Sequence, residues 1–448
     1  MKHLNKSGKK TMRTFWVIWS GQLVSMLGSG LTSFALGVWI YDQTGKATPF
    51  ALTALFSSLP RLLLLPIGGT FADRYDRRKI MILTDTGAAI VTAVGAALLF
   101  FGELQIWHIY IIAFCHAALS AFQEPAYSAS VTMLVPKKDL ARASSIIQVG
   151  QAASSILTPI LAGSLYALIA LKGIILIDFV TYFFAVGALL LIRIPQPKQV
   201  TETKAGQKSV WANALFGWKY LRALPGLLSL LLYFASVNFI LALTGVLTIP
   251  LVLAFGTSTD LGIIQMSSGI AMLVGGIIMS SWGGPKGKKI PWVIGLITLS
   301  ATGLLIMGLR ANTLFIAFGE VILLFFIPAA SALSSAVFRV KIPADIQGRI
   351  FAIRAMIAQS IMPLAYLIAG PLADRIFEPL MMPEGALGQT FLGKMIGTGT
   401  GRGIALIFIF VCIFLLIESL AAFLNPRIRN VEDELPDAIP DEVEEQDT

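Results

Sequence analysis

The chain has 448 residues, 56% of them hydrophobic and only 13% charged. Soluble domains sit near half apolar and a quarter charged, so this composition excludes an ordinary soluble globule. The net charge is +9, although "VEDELPDAIPDEVEEQD" (431–447) carries acids and no base, and where the remaining bases fall assigns them to membrane orientation rather than to nucleic acid.

Apolar runs of about 20 residues, each able to cross ~30 Å of hydrocarbon as a helix, recur along the whole length. Twelve spans are predicted, at 14–40, 50–71, 80–101, 107–134, 144–170 and 173–192, then at 227–255, 260–282, 291–310, 313–338, 350–372 and 404–424. The expected fold class is all-α and integral to a membrane. The period-2 alternation of an outer-membrane barrel is not what these runs show. The first run follows Lys6, Lys9, Lys10 and Arg13, like a signal peptide. It is too long for an h-region, and "SFALG" (33–37) is a poor cleavage site, so it reads as a retained first span. Cys115 and Cys412 lie inside apolar runs without metal-like spacing and read as small buried hydrophobes.

Threading the chain with its amino terminus in the cytoplasm puts 27 Lys and Arg inside. Only Lys46, Lys172, Arg310, Arg375, Lys394 and Arg402 fall outside, with Arg61 alone in the membrane. That bias sets orientation and supports the span count, with both termini cytoplasmic.

Between spans six and seven lies the only long polar interior segment. Its second part, "VWANALFGWKYLRALPG", places Trp211, Leu215, Trp218 and Leu221 at helical spacing and reads as an amphipathic interfacial helix; 196–209 reads equally as a solvated linker. The domains predicted are a six-span bundle (1–194), this linker (195–224), a second six-span bundle (225–425) and an acidic tail (426–448), expected to be disordered. The bundles echo each other. "PAYSA" (125–129) recurs as "PAASA" (328–332), and "VPKKDLAR" (135–142) as "IPADIQGR" (342–349), in register within each half. Two pseudo-symmetric bundles follow, the arrangement in which secondary transporters place a substrate site near the midplane.

The densest charge cluster is "GGTFADRYDRRKIMI" (68–82), after span two. Gly69 and Asp73 share one helical face, where a missing side chain permits close helix approach and Asp73 can face the positive end of another helix. Arg77 can pair with Asp85 or Glu124. Arg78 and Lys79 read equally as positive-inside anchors. "GTFADRYDRRK" resembles the signature loop of the major facilitator superfamily, with Asp76 in place of its second glycine. The resemblance covers 14–425 and implies a conformational latch of Gly69, Asp73, Arg74, Arg77 and Arg78. In it, Asp73 meets the start of span eleven near 347–349 when the outside is open. "WGGPKGKK" (282–289), the second-half equivalent, lacks the acid. "GPLADR" (370–375) repeats part of the motif on the opposite side, without the basic triad, and reads as a loop entry of chance or ancestral likeness.

Ionisable groups inside the membrane are functional candidates by default. Arg61 either binds an acidic substrate or pairs with Glu124 or Asp178. Glu124, before Pro125, is the first choice for a proton carrier, against a simple ion pair. Asp178 and Glu320 are second choices, while Asp85 and Glu418 read as structural. His108 and His116 read as hydrogen-bonded packing. "GTGTGRG" (397–403) follows no strand, and no Walker pattern is present, which argues against an ATP-driven pump.

The whole pattern most resembles the macrolide-efflux branch of that superfamily. "TPILAG" (158–163) departs from the glycine-rich span-five motif of drug antiporters. The resemblance implies a monomeric, multi-pass exporter in a bacterial cell membrane that exchanges hydrophobic drugs for protons. Its partners would be a small hydrophobic substrate, protons and lipid. It would have no metal or other cofactor, the proton gradient being its energy source, and no catalytic residue. The rivals are export of an endogenous metabolite such as a siderophore, lipid transport, and a membrane sensor that does not transport.

Overall fold

A computed structural model describes residues 12–192 and 218–434, apart from the side chains of Asp73, Ala344, Asp345, Gly348, Arg349 and Ala352. Among the described residues there is no strand, and eleven helices are long and apolar enough to cross a membrane by length and composition. Twelve spans and eleven helices reconcile at one residue. Spans five and six form the continuous run Leu140–Leu191, in which Ala170 alone leaves helical geometry, at φ 51 and ψ −171. The chain reverses there. In the span-one helix Met12–Thr44, Trp19 and Gly30 meet Gly150 and Thr158 of span five in parallel order. Gly21 and Gly28 meet Ala188 and Asp178 of span six in antiparallel order.

Proline sets the breaks elsewhere, because it removes a backbone donor and clashes with the preceding turn. Span ten divides into Thr313–Phe325 and Ile327–Lys341 at Pro328. Span eleven divides into Ala344–Ser360 and Met362–Pro371 at Pro363, then continues through Leu372–Phe377 to Glu378–Met381. The repeated prolines before spans five and eleven hold nearly the same backbone, Pro136 at φ −57, ψ 146 and Pro343 at φ −54, ψ 139.

The two ends of the bundle pair differ. "Outer" here means the base-poor end, which the charge bias assigns to the outside. One core cluster joins the outer parts of spans one, two, five and six (Phe34, Ala51, Ala162, Ile174) to the whole second bundle. Glycines let the backbones touch along this seam. A Cβ at Gly163 would lie 2.4 Å from Ser258 O, one at Gly262 2.6 Å from Pro159 O, and one at Gly370 2.4 Å from Thr48 Cα. At the inner end Phe15, Ala72, Met81, Leu134 and Leu189 pack in a separate cluster whose buried members all belong to the first bundle. Among the described residues the halves share a core outside and not inside, an inward-open arrangement.

Of the interfacial helix, Trp211 and Leu215 lie outside the described residues. Residues 218–222 are helical, with Trp218 exposed and Leu221 buried in the main core, so Leu221 packs into protein rather than lipid. The start of the acidic tail corrects the expectation of disorder. Val431–Glu434 is helical, and Glu432 accepts from the amides of Lys289 and Ile290 at 2.7 and 2.9 Å, capping span nine. An acid at a helix N-terminus satisfies amides that have no intrahelical partner. The tail beyond 434 lies outside the described residues.

Candidate functional site

The charged loop after span two is built of helix ends. Asp76, which replaces the expected glycine, caps span three by accepting from Lys79 N at 3.2 Å. Arg77 is buried, and it pairs with neither Asp85 nor Glu124, as the sequence had suggested. Its Nε donates to Ala72 O at 3.1 Å and its Nη1 to Ala129 O at 2.9 Å. The carboxylates have other partners, and the carbonyls at the end of span two are otherwise unsatisfied. Arg78 ties the loop to the end of span six through Leu189 O and Leu190 O, at 2.8 and 3.0 Å. Arg74 is exposed. The close helix approach expected at Gly69 occurs one residue earlier. A Cβ at Gly68 would lie 2.1 Å from Ala121 O of span four, whereas one at Gly69 would meet nothing within 4 Å. Gly69 has open space beside it. The side chain of Asp73, like those of Gly348 and Arg349, is outside the described residues, and its backbone lies within the span-two helix Ala47–Arg74.

At the other end of the same two spans, "GPLADR" is more than a chance likeness. Asp374 accepts from Ala47 N at 2.9 Å through Oδ1 and from Thr48 N at 2.7 Å through Oδ2. These are first-turn amides of span two, and its N-cap Lys46 supplies no side-chain bond. A carboxylate of the second bundle thus caps a helix of the first, with Gly370 one turn away seated on Thr48. This outer clamp uses the Gly-x-x-Ala-Asp-Arg residues that the inner loop also carries. The missing basic triad hides it in the sequence. The clamp needs only the acid and the glycine.

Above the inner cluster the first bundle encloses a cavity of about 640 Å³, lined by all six of its spans. Three of the candidate residues, Arg61, Glu124 and Asp178, face it. Arg61 Nη2 and Glu124 Oε2 are 2.7 Å apart, and both side chains are about half exposed (53% and 55%). Of the two acids named as partners for Arg61, Glu124 is the one it meets. Asp178 is buried and accepts from Ser29 Oγ at 3.1 Å. Glu320 is not part of this cavity. It is buried in the second bundle, and its Oε2 has no partner among the described residues.

Asp85, expected to be structural, also lines the cavity and is held by amide side chains of two other spans. Its Oδ2 accepts from Gln22 Nε2 at 3.1 Å and its Oδ1 from Gln123 Nε2, which also donates to Gln22 Oε1 at 3.1 Å. The three side chains close a ring across spans one, three and four. Asp85 has no cation among the described residues to neutralise it. The signal was available: Gln22 and Gln123 are polar residues in apolar runs. His116 hydrogen-bonds Thr92 at 3.2 Å on the same wall.

Two helical bundles, with a cavity lined by all six spans of the first and an outer clamp between spans two and eleven, define a multi-pass membrane transporter fold. The profile of the Major Facilitator Superfamily matches residues 18–366, and the chain belongs to that superfamily. Among characterised relatives, it is 29% identical to macrolide efflux protein A of Streptococcus pyogenes over 366 residues, 81% of this chain and 90% of that one. It is 26% identical to the enterobactin exporter EntS of Shigella flexneri over 321 residues, 67% of this chain and 75% of that one. Among solved structures, the inward-facing, unoccupied bacterial homologue of the human lysosomal transporter Spinster superposes with a TM-score of 0.70. It is 14% identical and covers 94% of this chain and 98% of its own.

Proposed function

We propose that this chain is a proton-coupled secondary transporter of a bacterial inner membrane, with both termini cytoplasmic. It exports hydrophobic small molecules, macrolide-like compounds among them, by alternating access. The similarity to a macrolide efflux protein supports the cargo class. A cavity of 640 Å³ has the size of a small-molecule site.

The observation that carries the coupling is the Asp85 ring. An ionised carboxylate accepts from both amides, as it does here. A protonated one carries a hydroxyl on one of those oxygens and no charge, so both amide bonds lose the strength that an ionised acceptor gives them. Protonation therefore loosens the tie between spans one, three and four, while deprotonation restores it. In the inward-open state Asp85 releases its proton to the cytoplasm and cargo enters. After the halves rock outward, a proton from outside reaches Asp85 and cargo leaves. Glu124, the first choice on sequence, is neutralised by Arg61 in this state. The pair serves as a polar wall for cargo, and Asp178 is the second proton candidate.

The test is erythromycin accumulation in a pump-deficient bacterium expressing wild type, Asp85→Asn or Glu124→Gln, with and without an uncoupler. Low accumulation in wild type, raised to the empty-vector level by the uncoupler and by Asp85→Asn but only partly by Glu124→Gln, is expected. Equal accumulation in every strain removes macrolides as cargo. Uncoupler-sensitive export by Asp85→Asn removes Asp85 as the proton site.

A further inference from the structure

The second bundle holds its own cavity of about 330 Å³ between spans seven, nine, ten and eleven, and Arg354 stands in its wall. Span eleven begins at Ala344, and Arg354 stands at the inner end of its stretch Ile353–Met381, which is apolar enough to cross a membrane. Its guanidinium sits 4.6 Å from the ring centroid of Phe338 and 5.7 and 5.9 Å from those of Phe234 and Phe351. Nη1 and Nη2 reach the hydroxyls of Ser335 and Ser334 at 3.3 and 3.0 Å. No carboxylate among the described residues lies within 4 Å of it.

The contrast with Arg61 is informative. Both arginines lie in spans, Arg354 at the inner end of its own, but Arg61 is paired with Glu124 and Arg354 has no carboxylate partner among the described residues. Rings and hydroxyls offset part of the cost of a cation in the membrane without cancelling its charge. The guanidinium fork suits a planar carboxylate or a phosphate, which a neutral cargo does not offer. Apolar wall residues such as Leu241 and Ile297 complete a surface that is cationic at one point and greasy around it.

We propose that this cavity binds the anionic head, carboxylate or phosphate, of an amphiphilic molecule, with Arg354 as the charge partner and the apolar body against span seven. The affinity for acidic cargo that sequence reading associated with Arg61 belongs to Arg354. The proposal draws on the exporter reading only in taking the occupant to be cargo.

The test is photolabelling of the purified full-length protein in phosphatidylcholine nanodiscs by a diazirine-bearing fatty acid and by the matching fatty alcohol. The acid labels peptides containing Phe234 or Phe351 saturably. Arg354→Gln weakens the acid's half-saturation about tenfold and leaves the alcohol's unchanged, while Arg354→Lys keeps most of the acid's preference. Replacing phosphatidylcholine by phosphatidylglycerol separates the sources: suppressed labelling identifies a lipid headgroup as occupant, and unchanged labelling a free anionic molecule. Either supports the site. Arg354→Gln labelled as strongly as wild type, or losing acid and alcohol alike, overturns it. Binding is read without transport, so it stands or falls separately from export.

Discussion

Replacing Asp374 by alanine removes the outer clamp and nothing of the cavity. The wild-type carboxylate takes two first-turn amides of span two at 2.9 and 2.7 Å, and these bonds cross between bundles. Loss of an N-terminal cap costs about 1–2 kcal/mol, and the charge at the positive helix end adds about 0.3–1 kcal/mol. When the outer ends separate, water replaces the carboxylate, so the loss of about 2 kcal/mol falls on the inward-open state alone. That is a shift of about thirtyfold in the ratio of inward-open to outward-open molecules. The assay is a spin-label distance distribution between Gln43→Cys and Lys394→Cys, exposed outer positions on opposite bundles, with Cys115 and Cys412 replaced by serine. Alanine should move population from the short to the long outer distance, and Asp374→Asn, which keeps one acceptor, should move about half as much free energy. An unchanged distribution in the alanine variant, at unchanged melting temperature, refutes the clamp.

Two further outcomes follow from the same packing. Gly370→Val places side-chain atoms where even a Cβ would lie 2.4 Å from Thr48 Cα. Backbone cannot yield there, so the protein should express, hold its outer ends apart in the same spin-label assay and lose export; a short outer distance would sink this reading. Arg77→Gln removes the guanidinium bonds to the carbonyls of Ala72 and Ala129, of which Ala129 O keeps Thr132 Oγ1 at 2.8 Å. It should lower stability by about 2 kcal/mol, seen as a reduced melting temperature in detergent, with Arg77→Lys recovering part of the loss. An unaltered melting temperature with abolished transport would return Arg77 to the latch.

The bundles, the charged loop and the repeat were legible because each is a local property of the chain. Hydropathy over about 20 residues measures the cost of burial in lipid, and the Lys and Arg bias records orientation. Pro136 and Pro343 could be matched by eye because proline restricts its own backbone wherever it stands. The pairing of Arg61 with Glu124 was one of three readings, since charge cost demands a partner without naming it. Gly69 and Gly68 were indistinguishable on paper. Only the rotation of span two about its axis puts Gly68 against Ala121.

The acids divide in the same way. Asp85, Glu124 and Asp178 are each a carboxylate in an apolar helix, and sequence ranks them only by depth and by the proline that follows Glu124. Which one meets an arginine, which a hydroxyl and which a pair of glutamine amides depends on how three or four helices turn toward one another. Asp374 is the clearest instance. It lies more than three hundred positions from Ala47, in a motif read as a remnant, and its role exists only because the outer ends of spans two and eleven meet. By itself the sequence determined that the chain folds as membrane helices in two like halves and where its bases face, because lipid and charge act on each segment separately. Tertiary structure decided which charges are neutralised, which are caps and which stay open to a ligand, because those depend on distances of a few ångströms between residues far apart in the chain.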